Sequence, residues 1–306
     1  MEQLRENVEA ELRELLKKYF LVGYLHETAV AFLEVKLKET LLFSKLCVIH
    51  YRMFAGEQTD IYRAAASIEL MILGLDIIDD LQDQDQPSTI WCQTPPEISL
   101  NIAIGFLTLA HQGLLDCDFP QDRLMKASEI MNRQMLTAIN GQTLDLMNES
   151  KNEEEYISII EQKSSALLIS ACMIGVILAC GDWNEKVAVY INEVGIAAQM
   201  KNDLRDLLNW EEKNDFLHRK RTVPTLYLLK MAANEEQDWL IDYFNGKGTT
   251  EGILSRRQEI EQICNDSGTL LYSSARMRTH YYKFLELVDQ MELEAHWKEL
   301  LLLQLK

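Results

Sequence analysis

The sequence predicts an all-α protein on three observations. Apolar residues recur at helical spacing along the chain, no sustained alternating apolar run bounded by turn residues appears, and each of the five prolines falls where a helical pattern pauses. The 306 residues are 47% hydrophobic, enough for a full core. With no internal repeat, low-complexity tract or flexible linker, the expectation is a single domain over 1–306, built from about ten helices.

The opening stretch, Met1 to Tyr19, is dense in Glu, Lys and Arg and lacks the apolar core of a secretory signal. Next comes the strongest helical pattern. Ile61, Ala64, Ala65, Ile68, Met71, Ile72, Leu75 and Ile78 make one face, and Leu70, Leu73, Ile77 and Leu81 fill much of the other, which predicts a helix buried nearly all round. Pro87, Pro95, Pro96, Pro120 and Pro224 mark the pauses, because proline removes a helix hydrogen bond. Asn152 with Glu155 resembles a capping box opening a helix near Glu153. Ser164 to Gly181 carries no charged residue and approaches the length of a bilayer span. Ser164, Ser165, Ser170, Cys172 and Gly175 dilute it, so a central buried helix is expected and no transmembrane segment.

The net charge of −18 argues against nucleic acid as a partner, since phosphate backbones are bound with surplus Lys and Arg, and it disfavours an anionic membrane surface. Six cysteines without CxxC spacing suit reduced core thiols. The chain reads as cytoplasmic.

Two acidic clusters carry the chemistry: Asp79-Asp80-Leu81-Gln82-Asp83 and Asn202-Asp203-Leu204-Arg205-Asp206. At helical spacing Asp76, Asp79, Asp80 and Asp83 share a face, as do Asn202, Asp203 and Asp206. Like charges so placed repel, which points to a cation absent from the sequence. Mg²⁺ suits the oxygen donors, and it typically combines one or two carboxylates with substrate phosphates. An acidic run is by default a solvated helix face. Here the first cluster follows four turns of apolar helix. The second follows Val194, Ile196, Ala197 and Ala198, with Lys213, Asp215 and the basic run Arg219-Lys220-Arg221 after it, so the two together can hold a metal-bound diphosphate.

Through Ala64 to Asp83, Gly141-Gln142 with Asp145, Lys163-Ser164, Gln199 to Asp206, and Asp215 to Pro224, the sequence resembles the trans-isoprenyl diphosphate synthase family. The last segment is similar to its D-L-x-x-x-K-x-T-x-P element. The resemblance implies an isoprenoid-synthase-like bundle of antiparallel helices around a central apolar cavity, usually as a homodimer. It implies Mg²⁺ on Asp79, Asp80, Asp83, Asn202, Asp203 and Asp206, with Asn202 replacing an aspartate. It places Lys163, Lys213, Lys220 and Arg221 on an allylic diphosphate, and Gln199 at the allylic centre. Asp79, Asp80, Asp83, Lys163 and Gln199 would thus serve catalysis. Metal ions would ease departure of the diphosphate, and a dry pocket would protect the allylic cation from water.

The departures from the family also inform. Its Gly-Lys-Arg-x-Arg-Pro element, which binds isopentenyl diphosphate, has no counterpart where the chain reads Glu39-Thr-Leu-Leu-Phe-Ser44, and no Lys or Arg stands between Arg63 and Arg123. A second diphosphate would find little to neutralise it there. An uncharged indole needs no such clamp, and the pattern is most similar to the ComQ-type peptide tryptophan isoprenyl transferases of bacterial quorum sensing and competence. These use a geranyl or farnesyl diphosphate and a small Trp-containing pheromone precursor. Gly74 and Leu75 are not bulky aromatics, so a fifteen-carbon tail could enter, with Met71 or a partner helix as the alternative cap. Lys45, His50 and Arg52 lie in the helix that would border the vacated pocket, with packing and solvent exposure as their default roles. The alternatives are a chain-elongating polyprenyl diphosphate synthase, a non-catalytic subunit of one, and, less well matched, a terpene cyclase.

Overall fold

In the computed structural model, which describes residues 1–83, 87–210, 214, 216–234 and 237–305, every regular element is helical. They are α1 (Glu2–Tyr19), α2 (Gly23–Lys36), α3 (Leu42–Met53), α4 (Ile61–Asp83), α5 (Ile90–Gln93), α6 (Pro96–Leu115), α7 (Gln121–Met147) and α8 (Glu153–Ile160). A π-helical stretch, Glu161–Ser165, then leads into α9 (Ala166–Cys180), followed by α10 (Glu185–Leu208), α11 (Val223–Asn234) and α12 (Asp238–Phe244). The chain ends with α13 (Thr250–Ser255), α14 (Arg257–Asp266), α15 (Thr269–Asp289) and α16 (Ala295–Gln304). That is more than the ten or so expected. The surplus lies in short helices such as α5, α12 and α13, too brief to show a period.

The described residues group into two compact units: Met1–Leu136 with Leu167–Val189 and Asp289–Lys306, and Thr137–Ala166 with Tyr190–Val288. In the first unit α4 packs against α6, α1 and α3. Every residue of α4 from Ala64 to Gly74 is buried, as its two-sided apolar pattern predicts. α9 comes so close to α3 that a β-carbon on Gly175 would lie 2.2 Å from the Cys47 carbonyl oxygen. The six cysteines are all unbridged.

Among its described residues the second unit has two apolar clusters. Trp210, Phe216, Leu228, Leu240 and Phe244 anchor one, and Tyr156, Ile160, Ile196, Met200 and Val223 form the other. The capping box is present: the Asn152 side chain accepts the Glu155 N–H at 2.9 Å, while the Glu155 carboxylate accepts the N–H of Lys151 at 2.8 Å, one residue upstream of the usual reciprocal partner. Pro96 and Pro224 lie in the first turns of α6 and α11, where a missing N–H breaks no helix bond. Among the described residues two helical spans, Pro96–Leu115 and Glu153–Cys180, are long and apolar enough to cross a bilayer, but 67% of the second one's apolar window is buried within the protein.

Candidate active site

In the first unit the acidic cluster occupies the last two turns of α4. Asp79 and Asp83 are half-buried, and Asp80 is buried, accepting a hydrogen bond from the indole N–H of Trp91 at 2.8 Å. Trp91 is itself fixed: its ring meets Phe32 edge-on at 5.8 Å, and the Ser99 hydroxyl donates to its carbonyl at 2.8 Å. Asp76, one turn earlier, pairs with Lys36 of α2 at 3.0 Å, and Lys36 also meets Glu39 at 2.8 Å. This corrects the expectation that the whole acidic row awaits an external cation, because the protein supplies one at Asp76.

Burial opposes the charge on Lys36, but Asp76 and Glu69 outweigh it and raise its pKa. Desolvation dominates at Asp76 and lifts its carboxyl above the ordinary range despite Lys36. Lys36 sits at the helical spacing of Ala29, Phe32 and Leu33, the buried face of α2, and that spacing was the available sequence signal. Of the residues read as bordering a vacated pocket, Arg52 donates to the Gly56 carbonyl at 2.7 Å. His50 is buried on the Leu46 carbonyl, with burial lowering its pKa to about 4. Both keep their default packing roles.

In the second unit a single carboxylate gathers two of the lysines expected to bind the diphosphate. Asp145 accepts from the ammonium groups of Lys163 at 2.7 Å and Lys220 at 3.4 Å. Burial alone would raise its pKa, but the two lysines outweigh burial and hold the carboxyl below its usual value. Lys163 rides on the π-helical stretch. α7 approaches that stretch so closely that a β-carbon on Gly141 would lie 2.3 Å from the Lys163 backbone nitrogen. Lys220 is held from its backbone: the Asn148 amide donates to the Arg219 carbonyl at 2.8 Å and accepts the Arg221 N–H at 2.9 Å. Asn148 and Arg219 both adopt positive φ, 52° and 54°.

Gln199 and Ser164 meet at 3.2 Å and share a small cleft with Asp145, Lys163, Ile159 and Ile160. Gln199 also donates to Asp203 at 2.9 Å, and Tyr156 donates its hydroxyl proton to the other oxygen of Asp203 at 3.0 Å. Asp203 is buried, Asp206 pairs with its neighbour Arg205 at 3.0 Å, and Asn202 is exposed. The expected clamp members separate. Lys163 and Lys220 converge, while the Arg221 guanidinium reaches the Ser150 carbonyl and Asn245 instead, both at 3.4 Å. Lys213 and Asp215 lie outside the described residues. Sequence reasoning missed Trp91, Asn148 and Tyr156, whose partners stand at separations without a local period.

Among the described residues no three His, Cys, Asp or Glu side chains form a ready-made ion cage. The donors on offer are carboxylate and amide oxygens, the set a hard cation takes together with substrate oxygens.

The polyprenyl synthetase family model matches residues 40–262, more than half of the chain. The chain belongs to the polyprenyl synthetase family. Within reach of this polyprenyl synthetase chain is the tryptophan prenyltransferase ComQ of Bacillus subtilis (strain 168), 29% identical over 265 residues, which are 86% of this chain and 87% of the relative. A (2E,6E)-farnesyl diphosphate synthase of Mycobacterium bovis is 26% identical over 246 residues, 74% of this chain and 67% of that one. A crystal structure of geranylgeranyl pyrophosphate synthase superposes with a TM-score of 0.85 at 19% identity, covering 98% of this chain and 95% of its own, which establishes the all-helical fold. The resemblance drawn from the motifs, including its ComQ-type leaning, agrees with these relatives.

Proposed function

We propose that this polyprenyl synthetase family member is a Mg²⁺-dependent prenyltransferase of the cytoplasm. It moves a geranyl or farnesyl group from its diphosphate to a tryptophan of a small precursor peptide, in the maturation of a quorum-sensing pheromone. The observation that carries the reading is the likeness to tryptophan prenyltransferase ComQ over most of both chains. Charge supports it. No Lys or Arg stands between Arg63 and Arg123, and Lys36, the cation beside the first cluster, is already held by Asp76 and Glu39. A second diphosphate gains little there, whereas an indole requires no counter-charge. Six unbridged cysteines and the burial of the Glu153–Cys180 apolar span support a reducing, aqueous compartment.

Asp79, Asp80 and Asp83 of the first unit would hold Mg²⁺, as would Asn202, Asp203 and Asp206 of the second, and the metal would supply Lewis-acid stabilisation of the departing diphosphate. The Trp91 N–H fixes the orientation of Asp80, and Tyr156 with Gln199 fixes that of Asp203, as outer partners of metal ligands do. Lys163 and Lys220 meet the negative charge that builds on the leaving group. Asp145 keeps the two ammonium groups together when no diphosphate is present. As the C–O bond breaks, its electron pair leaves with the diphosphate. The indole π electrons form the new C–C bond at C3, which already bears the tryptophan side chain, and the resulting C2=N1 iminium is neutralised by loss of the N1 proton to the released diphosphate.

Mass spectrometry of the protein mixed with Mg²⁺, farnesyl or geranyl diphosphate and Trp-containing peptides tests this. The expected result is a peptide heavier by one prenyl group, abolished by EDTA and by replacing the peptide Trp with Phe. A product that forms equally in EDTA would contradict the metal assignment.

A further inference from the structure

Beside the clamp, the second unit has a cavity of about 510 Å³, within the size range of ligand sites. Its floor is apolar, from Val223 and Leu226 of α11 and Ile241 and Phe244 of α12. Three cations rim it: Lys151, Arg221 and Lys230. In a chain of net charge −18 this is a local reversal of sign. Arg221 reaches only neutral oxygens, and among the described residues none of the three forms an ion pair. Of the described lining carboxylates, Glu153 is matched by Arg276 and the Tyr272 hydroxyl, and Glu154 also acts on Arg276, so among the described residues the three rim cations outnumber the carboxylates that face them.

The spacing of the cations suits an extended ligand. Lys230 stands seven residues beyond Val223 on α11, about 10 Å along the helix axis, and Arg221 precedes Val223, so the cations start from backbone positions strung along the cavity and not from one point. An extended peptide spans that distance in three residues, at about 3.3 Å each, with an apolar side chain between. The cavity also shares its framework with the clamp. Arg221 follows Lys220 directly, both held by Asn148. The start of α8 lines the cavity, while Tyr156, Ile159 and Ile160 of the same helix line the cleft of Lys163.

We infer that this cavity docks an acidic, apolar segment of the acceptor peptide, separate from the tryptophan that reacts. The inference rests on the peptide reading above. It predicts that charge reversal at the exposed Lys151 and Lys230 weakens the acceptor and spares the donor.

The test uses the full chain with a dye-labelled peptide bearing one Trp flanked by Asp, Glu and Leu, and a counterpart with Lys in place of the acids. A K151E/K230E double variant should raise the KM of the acidic peptide, and its Kd by fluorescence anisotropy, about tenfold or more. It should leave kcat and the KM for farnesyl diphosphate unchanged, and it should favour the Lys counterpart. A K17E/K186E variant, with the same charge change elsewhere, should behave as wild type. Equal acidic-peptide affinity in wild type and K151E/K230E would overturn the inference while leaving the function standing. Failure of the wild type to prenylate any peptide would overturn the function, and anisotropy, which needs no turnover, decides the cavity separately.

Discussion

Asn148 illustrates how much one side chain in a left-handed turn determines. Its amide bridges the carbonyl before Lys220 and the N–H after it, so the lysine reaches Asp145 from a fixed backbone. Asn148→Ala removes both bonds and puts alanine at φ 52°, a region asparagine tolerates better. The expected loss is about 2 kcal/mol in kcat/KM for the prenyl diphosphate, with helix content unchanged by circular dichroism. Asp145 carries a pH prediction. Its folded pKa is lowered, so the stability it contributes is complete above its ordinary value near about 3.9 and is lost as the pH falls through the lower folded value. Thermal melts should therefore show Asp145→Asn less stable than wild type at neutral pH, with the gap closing as the pH falls below about 4. The carboxylates of both clusters were legible in the sequence because helical spacing and apolar flanks mark them. Asn148, Lys36 and Trp91 act on partners far along the chain or across a turn, and no local period encodes such pairings.

At the scale of the elements, the long helices were readable and the short ones were not. α4, with its two apolar faces, and the uncharged run that becomes α9 carry three or more turns of pattern, whereas α5 and α13 are held by surroundings that a sequence window does not contain. The π-helical stretch Glu161–Ser165 interrupts what reads as one continuous run, and it is the element that carries Lys163. Its fit against α7 depends on Gly141, since any β-carbon there meets backbone atoms of Gln162 and Lys163 that cannot swing aside. Gly141→Ala should cost about 1–3 kcal/mol in denaturant unfolding and lower prenyl transfer as well, because the displaced backbone is that of the clamp lysine. An activity loss without a stability loss would argue against packing as its cause.

On the molecular scale, we propose that the homodimer implied by the sequence resemblance would form through one exposed face. Along α6, Leu100, Ile104 and Leu115 are 43%, 59% and 49% exposed, and their spacing puts them on one side of the helix. An apolar stripe of this kind marks an interaction surface, and covering it with a second copy is the reading we favour. Ile104→Asp should then shift the protein to monomer by light scattering coupled to gel filtration, with secondary structure intact. The fold class was legible in full, because helical periodicity runs through the chain, while the grouping of helices into compact units depends on contacts between distant segments that no local pattern encodes. The central claim is the choice of acceptor, and it rests on the scarcity of basic residues around the first cluster together with the likeness to ComQ. A direct competition decides it: protein, Mg²⁺, farnesyl diphosphate, a Trp-containing peptide and radiolabelled isopentenyl diphosphate in one tube, with products followed over time. The account predicts prenylated peptide and no label in longer-chain diphosphates. Label accumulating in a chain-extended diphosphate at about 1 per second or faster, with the peptide unchanged, would contradict it.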